Sequence, residues 1–214
     1  MRTLITGANR GIGAALAIEG LRRGHDVTGT FRAAAAGDDI RWVQLDVTNR
    51  AAQEAAAQET GPLDLLVANA GVYLDKGTAL ADVTFDMLQD TFAANVSAVL
   101  LTVQAQMRNL SDGGRIAIIS SAMGAQTRTP GNAFAYRASK AAALNLGRNL
   151  AEHLKPEGIA VGIYHPGWVR TDMGGSNADV SPEDSARGLW DRFEALDLTA
   201  SGAFLAYDGT ELPL

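Results

Sequence analysis

The run from Thr3 to Arg23 leaves this chain few choices of fold. Thr3–Thr6 reads as a short buried strand that leads straight into T-G-A-N-R-G-I-G, residues 6–13. Ala14 to Arg23 then has helical character, and Gly24 sits where a helix stop belongs. Strand, glycine turn and helix in immediate succession bring backbone N–H groups and a helix N-terminus to one point, which suits a phosphate. The spacing of Gly7, Gly11 and Gly13 is G-x-x-x-G-x-G, different from the G-x-G-x-x-G fingerprint. Tight βα turns also need glycine on steric grounds alone, so the turn sets a geometry and leaves the ligand open.

The alternation continues to the end of the chain. Further strands are predicted at Asp26–Phe31, Arg41–Leu45, Asp64–Ala68, Arg115–Ser120, Ile159–His165 and Ala203–Tyr207. Helices are predicted at Asn49–Thr60, Phe85–Leu110, residues 133–154, and from the Ser181 cap to Ala195. Residues 72–83 and 168–181 read as loops, the second a mobile one. This pattern predicts one α/β domain over residues 1–214: a seven-stranded parallel sheet of the doubly wound Rossmann type, with helices on both faces. In such sheets ligands bind beyond the carboxyl ends of the strands. Gly7 to Gly13, Phe31-Arg32, Asp46, Asn69-Ala70-Gly71, Ser121 and Pro166-Gly167 all follow strand ends. They are expected to share one rim.

One pair on that rim has chemistry of its own. If residues 133–154 are helical, Tyr136 and Lys140 lie one turn apart on the same face. An ammonium beside a phenol favours the phenolate and lowers its pKa from about 10 toward neutrality. Such a tyrosine can give a proton to a carbonyl or take one from an alcohol. Ser120 and Ser121 end the preceding strand, and a hydroxyl there can bond the same oxygen. Tyr–Lys pairs also occur on ordinary surface helices. The pair gains meaning only from its company on the rim. Asn95 stands in the middle of a predicted helix, where asparagine is mildly unfavourable, so it is either exposed or used.

The second strand bears on cofactor choice. An acid about 20 residues beyond the glycines would bond a ribose 2′-hydroxyl and select NAD. Counting from Gly11 lands on Phe31, followed by Arg32, with Arg10 inside the glycine turn. Two guanidiniums at one point suit a 2′-phosphate, hence NADP(H) ahead of NAD(H). The formal charge of -6 argues against a nucleic-acid partner, and no apolar run reaches the length of a membrane span. The chain has no cysteine, and its three histidines lack metal-ligand spacing. No metal site is expected. The start M-R-T-L-I-T-G is too short and polar for a signal peptide, which points to the cytoplasm.

Taken together, T-G-A-N-R-G-I-G, N-A-G at 69–71, Asn95, S-A-M-G from Ser121, Y-R-A-S-K at 136–140 and P-G-W-V-R-T-D-M at 166–173 resemble the short-chain dehydrogenase/reductase family. The pieces span nearly the whole chain in the family's order. The sequence looks closest to the branch of carbonyl reductases that includes the sniffer and C-factor proteins. The run from Ser121 to Tyr136 is slightly longer than in many relatives, and the family's S-x-x-G pattern fits Ser121. The resemblance implies that Tyr136 is the general acid, that Lys140 lowers its pKa and holds the nicotinamide ribose, and that Ser121 positions the carbonyl. Asn95 would hold a water linking Lys140 to solvent. Gly7, Asn9, Arg10, Gly11, Ile12, Gly13, Arg32, Asp46, Val47, Asn69, Ala70, Gly71, Pro166, Gly167, Val169 and Thr171 would bind the cofactor with Tyr136 and Lys140.

The expected activity is NADP(H)-dependent reduction of a small-molecule carbonyl to an alcohol. A dinucleotide-binding regulator of the C-factor type is the competing class, although such a protein has no need of the Tyr136–Lys140 pair. A sugar-nucleotide epimerase would need more chain after the sixth strand. The substrate pocket is expected between residues 122–134 and 168–180, where Met123, Phe134, Trp168 and Met173 suggest an apolar site. Alanines at 138 and 141–143 leave a smooth helix face that could pair across a two-fold axis, giving a homodimer or homotetramer.

Overall fold

The central strands are apolar on both faces, which requires cover on both sides. The computed structural model describes residues 1–37, 39–127 and 129–214. The loop after the second strand and the substrate-side loop 122–134 each contain one residue, Asp38 and Arg128, outside the described residues. The elements are β1 (Arg2–Ile5), α1 (Gly11–Arg22), β2 (Asp26–Phe31), β3 (Arg41–Gln44), α2 (Arg50–Thr60), β4 (Leu63–Ala68), α3 (Phe85–Phe92), α4 (Ala98–Gln106), β5 (Leu110–Ile119), α5 (Phe134–Leu154), β6 (Ala160–His165), α6 (Pro182–Ala195) and β7 (Phe204–Ala206). The strands make one parallel sheet in the order β3-β2-β1-β4-β5-β6-β7. Strand order reverses between β1 and β4, the switch point at which doubly wound sheets open a crevice.

Alternation within the strands assigns the layers. In β4, Leu65 and Val67 join the core beneath α1 and α6, with Leu16, Ala17, Leu189, Trp190 and Phe193. Leu66 and Ala68 join the opposite core, with Val99 and Val103 of α4 and Leu150 and Leu154 of α5. Ala56 of α2 closes the β3 end against Val43 and Leu45.

Three local expectations change. The predicted helix Phe85–Leu110 is divided: α3 and α4 are joined by a π-helical turn at Ala93–Ser97, and Leu110 already belongs to β5. The wider turn rolls Asn95 inward, where it is 2% exposed, a use of the π-bulge that often marks functional positions. β5 starts at Leu110, ahead of the expected Arg115, because its pairing with β4 shifts register between the Leu63 and Leu65 pairs. Gly113, at φ 73°, absorbs the bulge. The loop 168–181 is strapped from within: Val169 bridges Val180, Arg170 N donates to Val180 O at 2.9 Å, and Val180 N donates to Trp168 O at 3.0 Å. Of the alanines on α5, Ala138 is exposed, Ala141 and Ala142 are half-buried and Ala143 is buried, so only part of that face looks outward.

α1 and α6 meet through one indole. Trp190 is fully buried and donates from Nε1 to Leu16 O at 2.8 Å. A Cβ at Gly20 would collide with Cζ2 of that indole and lie 2.9 Å from Val27 Cγ2. In an open helix Gly→Ala stabilises by about 1 kcal/mol. Here Gly20→Ala should destabilise by about 1–3 kcal/mol through overpacking, read as a lower urea midpoint at unchanged m-value.

Candidate functional site

The first part of the site is the β1–α1 turn at the switch point. Thr6 Oγ1 accepts the backbone N–H groups of Asn69 and Ala70, both at 3.0 Å. Asn69 Nδ2 returns two bonds, to Thr6 O at 2.9 Å and Gly7 O at 3.2 Å. The turn is thereby clipped to the end of β4. Gly7 takes φ +63°, and a Cβ at Gly13 would collide with the Gly7 carbonyl, so neither position accepts a side chain without strain. Arg10 caps α1 in an extended conformation, and its side chain makes no capping bond. The first N–H groups of α1 thus carry the positive end of the helix dipole with no local side-chain acceptor. A Cβ at Gly11 would lie 3.7 Å from Thr171 Cγ2, so Thr171 faces the turn from across the rim. Asn9 Nδ2 donates to Ala34 O at 3.0 Å and ties down the loop after β2. Ile12 packs against the core under α1. This cradle of small residues and unclaimed N–H groups fits the pyrophosphate of a dinucleotide.

The β2 and β3 ends carry the charge. Phe31 packs edge-on against Trp42, with ring centroids 6.1 Å apart. Arg32 is exposed beside it. Arg10 meets Asp172 at 3.6 Å, with side chains 71% and 88% exposed, a weak pair that yields easily to a better anion. The Asp46 carboxylate accepts Thr48 Oγ1 at 2.7 Å and Thr48 N at 3.0 Å. Those bonds hold its pKa below the ordinary value against its partial burial, with Arg32 adding to the effect. Val47 is half-buried, and its carbonyl accepts Gln53 Nε2 at 2.9 Å. Asp46 therefore shapes the turn after β3.

The second part of the site is the N-terminal end of α5 against the end of β5. Ser120 and Ser121 separate cleanly. Ser120 is buried and donates to Lys140 O at 3.0 Å, a structural bond. Ser121 caps the short turn Ala122–Gly124 by accepting Met123 N at 3.1 Å, and its hydroxyl lies near enough to the Tyr136 phenol to favour the ionised form. Lys140 reaches from the next turn of α5, with Nζ donating to Ile119 O at 2.9 Å and lying 5.6 Å from the Tyr136 ring centroid. Asn95 Oδ1 accepts Val72 N at 2.8 Å, while Nδ2 donates to Val72 O at 2.9 Å and Ser139 Oγ at 3.0 Å. Asn95 is thus used, and it lines Gly71 together with Lys140: a Cβ at Gly71 would lie 3.0 Å from Asn95 Oδ1 and 3.7 Å from Lys140 Nζ.

The electrostatics correct one expectation. Proximity to Lys140 was expected to lower the Tyr136 pKa. Burial dominates instead, and pushes the phenol up to about 12 with the neighbouring Ser121 hydroxyl opposing. Burial also pulls Lys140 down to about 8. Both charged forms are penalised together because both groups lie in the same dry layer. Near neutrality Tyr136 keeps its proton, the form needed to donate one. His165 is pulled down to about 4 by burial, with Lys140 adding to the effect, and stays neutral.

The remaining strand-end residues reach the rim from β6. Pro166 O accepts Ser185 Oγ at 2.6 Å, which fixes the start of the strapped loop. Val169 is buried, and Thr171 Oγ1 accepts Gly174 N at 3.2 Å. Trp168 donates to Gly174 O at 2.9 Å with half its surface exposed, Met173 is exposed, and Met123 and Phe134 are half-buried. Lys76 Nζ donates to Met173 O at 2.8 Å and joins the two loops flanking the site.

Sequence reasoning missed Thr6, Tyr73 and Asp75. Thr6 had a legible signal, a hydroxyl at a strand end directly before the turn glycine. Asp75 had none, because its partners lie about sixty positions along the chain. Its carboxylate accepts Ala135 N at 2.7 Å and Tyr136 N at 3.2 Å, capping α5. The residue at the local cap position, Ala133, is left-handed at φ 52° and offers no side-chain acceptor.

Comparisons with known proteins agree with the family and the fold. The short chain dehydrogenase family model matches residues 2–181. The C-signal protein of Myxococcus xanthus is 41% identical over 157 residues, spanning 72% of this chain and 94% of that protein. The NADPH-bound carbonyl reductase from chicken fatty liver superposes with a TM-score of 0.90 at 30% identity, covering 99% of this chain and 98% of that one. The carbonyl reductase Sniffer of D. melanogaster gives a TM-score of 0.92 at 27% identity, with the same coverage of each chain.

The clip at the switch point is open to test. Thr6→Val keeps the shape but leaves the Asn69 and Ala70 N–H groups without their acceptor. It should destabilise by about 2–4 kcal/mol, whereas Thr6→Ser should recover most of that loss in denaturant unfolding.

Proposed function

This chain belongs to the short-chain dehydrogenase family of oxidoreductases, and from that premise we propose that it reduces a small-molecule aldehyde or ketone to an alcohol with NADPH. The observation that carries the reading is the buried Tyr136 phenol, kept protonated by that burial, with the Ser121 hydroxyl beside it and Lys140 one helical turn away. NADPH when bound supplies the hydride. The residues that would hold it are Gly7 to Gly13 and Thr171 at the pyrophosphate, Arg10 and Arg32 at the 2′-phosphate, Asp46 to Val47 and Asn69 to Gly71 along the adenosine side, and Lys140 with Pro166 to Val169 at the nicotinamide end. Ser121 orients the carbonyl oxygen by a hydrogen bond, and Tyr136 Oη gives that oxygen its proton. Lys140, held by Ile119 O, keeps a positive charge beneath the phenol as its proton leaves.

Tyr136→Phe keeps the ring and removes the proton. Cofactor binding should survive, with kcat lower by about 10²–10⁴-fold. In the parent enzyme kcat/KM for reduction should fall as pH rises through about 8, where Lys140 loses its charge, while Tyr136 stays protonated up to about 12. Stopped assays of NADPH consumption from pH 6 to 10 measure both. Near-normal turnover in Tyr136→Phe removes the proton-donor assignment.

Cofactor choice rests on Arg32. A charge-assisted hydrogen bond contributes about 1.5–3 kcal/mol, so Arg32→Ala should raise KM for NADPH by about tenfold or more and leave NADH nearly unchanged. Equal losses for both cofactors would mean that Arg32 is not a phosphate ligand.

The 41% identity to C-signal supports a second reading, a dinucleotide-binding signalling protein. It requires NADPH binding with no carbonyl turnover in either the parent or Tyr136→Phe.

A further inference from the structure

The segment after Gly71 grips the side of the site that no motif describes. Asn95 holds both backbone groups of Val72. The next residue, Tyr73, lays its ring against that of Tyr136, with centroids 4.2 Å apart and planes 19° from parallel. Two residues on, Asp75 takes the Tyr136 backbone N–H. Tyr136 is therefore held through both ring and backbone by one short stretch of chain. The Tyr73 hydroxyl makes no hydrogen bond among the described residues, so its contact with Tyr136 is the ring face itself.

We infer that Tyr73 is a positioning residue: its ring, anchored by Asn95 at Val72 and by Asp75 at the α5 N-terminus, fixes the orientation of the Tyr136 phenol. The inference rests on the reading of Tyr136 as proton donor. A phenol on a single χ1–χ2 pair can swing, and proton transfer needs Oη within about 2.6–3.2 Å of the substrate oxygen. Displacement by about 1 Å costs on the order of 10² in rate. A stacked neighbour removes that freedom without competing for the hydroxyl. It also keeps water off one face of the phenol, in line with the burial that raises the pKa of Tyr136.

Full-length Tyr73→Ala, Tyr73→Leu and Tyr73→Phe separate ring from hydroxyl, and Tyr73→Leu serves if Tyr73→Ala does not fold. Removing the ring should lower kcat about tenfold or more with the NADPH dissociation constant within about twofold of the parent. The pH profile of alcohol oxidation should move to lower pH, since hydration of the phenol eases the ionisation that burial opposes. Tyr73→Phe should restore both. Equal impairment in Tyr73→Phe and Tyr73→Ala, or normal kcat and pH profile in Tyr73→Ala, overturns the inference. A double-mutant cycle of Tyr73→Ala with Tyr136→Leu in urea reads the contact without any assay of activity. Stacking should make the effects non-additive by about 2- to 10-fold in the unfolding constant, and additivity overturns the inference. If the parent turns over no carbonyl, the activity reading fails on that result and the cycle still decides whether the rings act together.

Discussion

Everything in this site depends on the clip between β1 and β4. These strands are neighbours where the sheet order reverses, and their ends must meet closely enough to leave a crevice rather than a gap. Thr6 and Asn69 make the join with four hydrogen bonds between residues more than sixty positions apart. The close approach is possible only because Gly13 has no Cβ. With the turn held there, the N-terminus of α1 points over the rim, and Asn69 to Gly71 lie beside it. Loss of the clip would release the turn and the α1 N-terminus together.

The protonation state of Tyr136 follows from dryness rather than from a simple charge pair. A cation one helical turn from a phenol lowers its pKa in water, but Tyr136 and Lys140 are only 8% and 6% exposed. In that layer desolvation is the largest influence on each, and both groups shift toward their neutral forms. A neutral phenol is able to donate a proton, the role proposed for Tyr136. The same burial keeps His165 neutral beside Lys140.

The apparatus that aims Tyr136 comes from far along the chain. α5 begins after a left-handed alanine with no side-chain cap, and a carboxylate from the β4–α3 loop supplies the missing acceptor. That loop is fixed in turn by Asn95 in a π-helical turn. Lys76 then joins it to the strapped loop after β6. α5 is thus registered against the sheet by its N-terminal end, the end that carries Tyr136 and Lys140.

The βα alternation, the apolar strands and the residues at their carboxyl ends are local properties. The sequence by itself therefore determined the seven-stranded parallel sheet, its two covered faces and the gathering of Gly7 to Gly13, Asn69 to Gly71, Ser121, Tyr136 and Lys140 along one edge. Strand periodicity and turn glycines are written in adjacent residues, and parallel topology admits few ways to arrange them. Tertiary structure alone decided how Asn95 is used, the sign of the Tyr136 pKa shift and the roles of Thr6, Tyr73 and Asp75. Each of these depends on desolvation or on a contact between segments distant in sequence. Neither is encoded by spacing along the chain, because burial is a property of the packed assembly and the partners meet only after the sheet has formed.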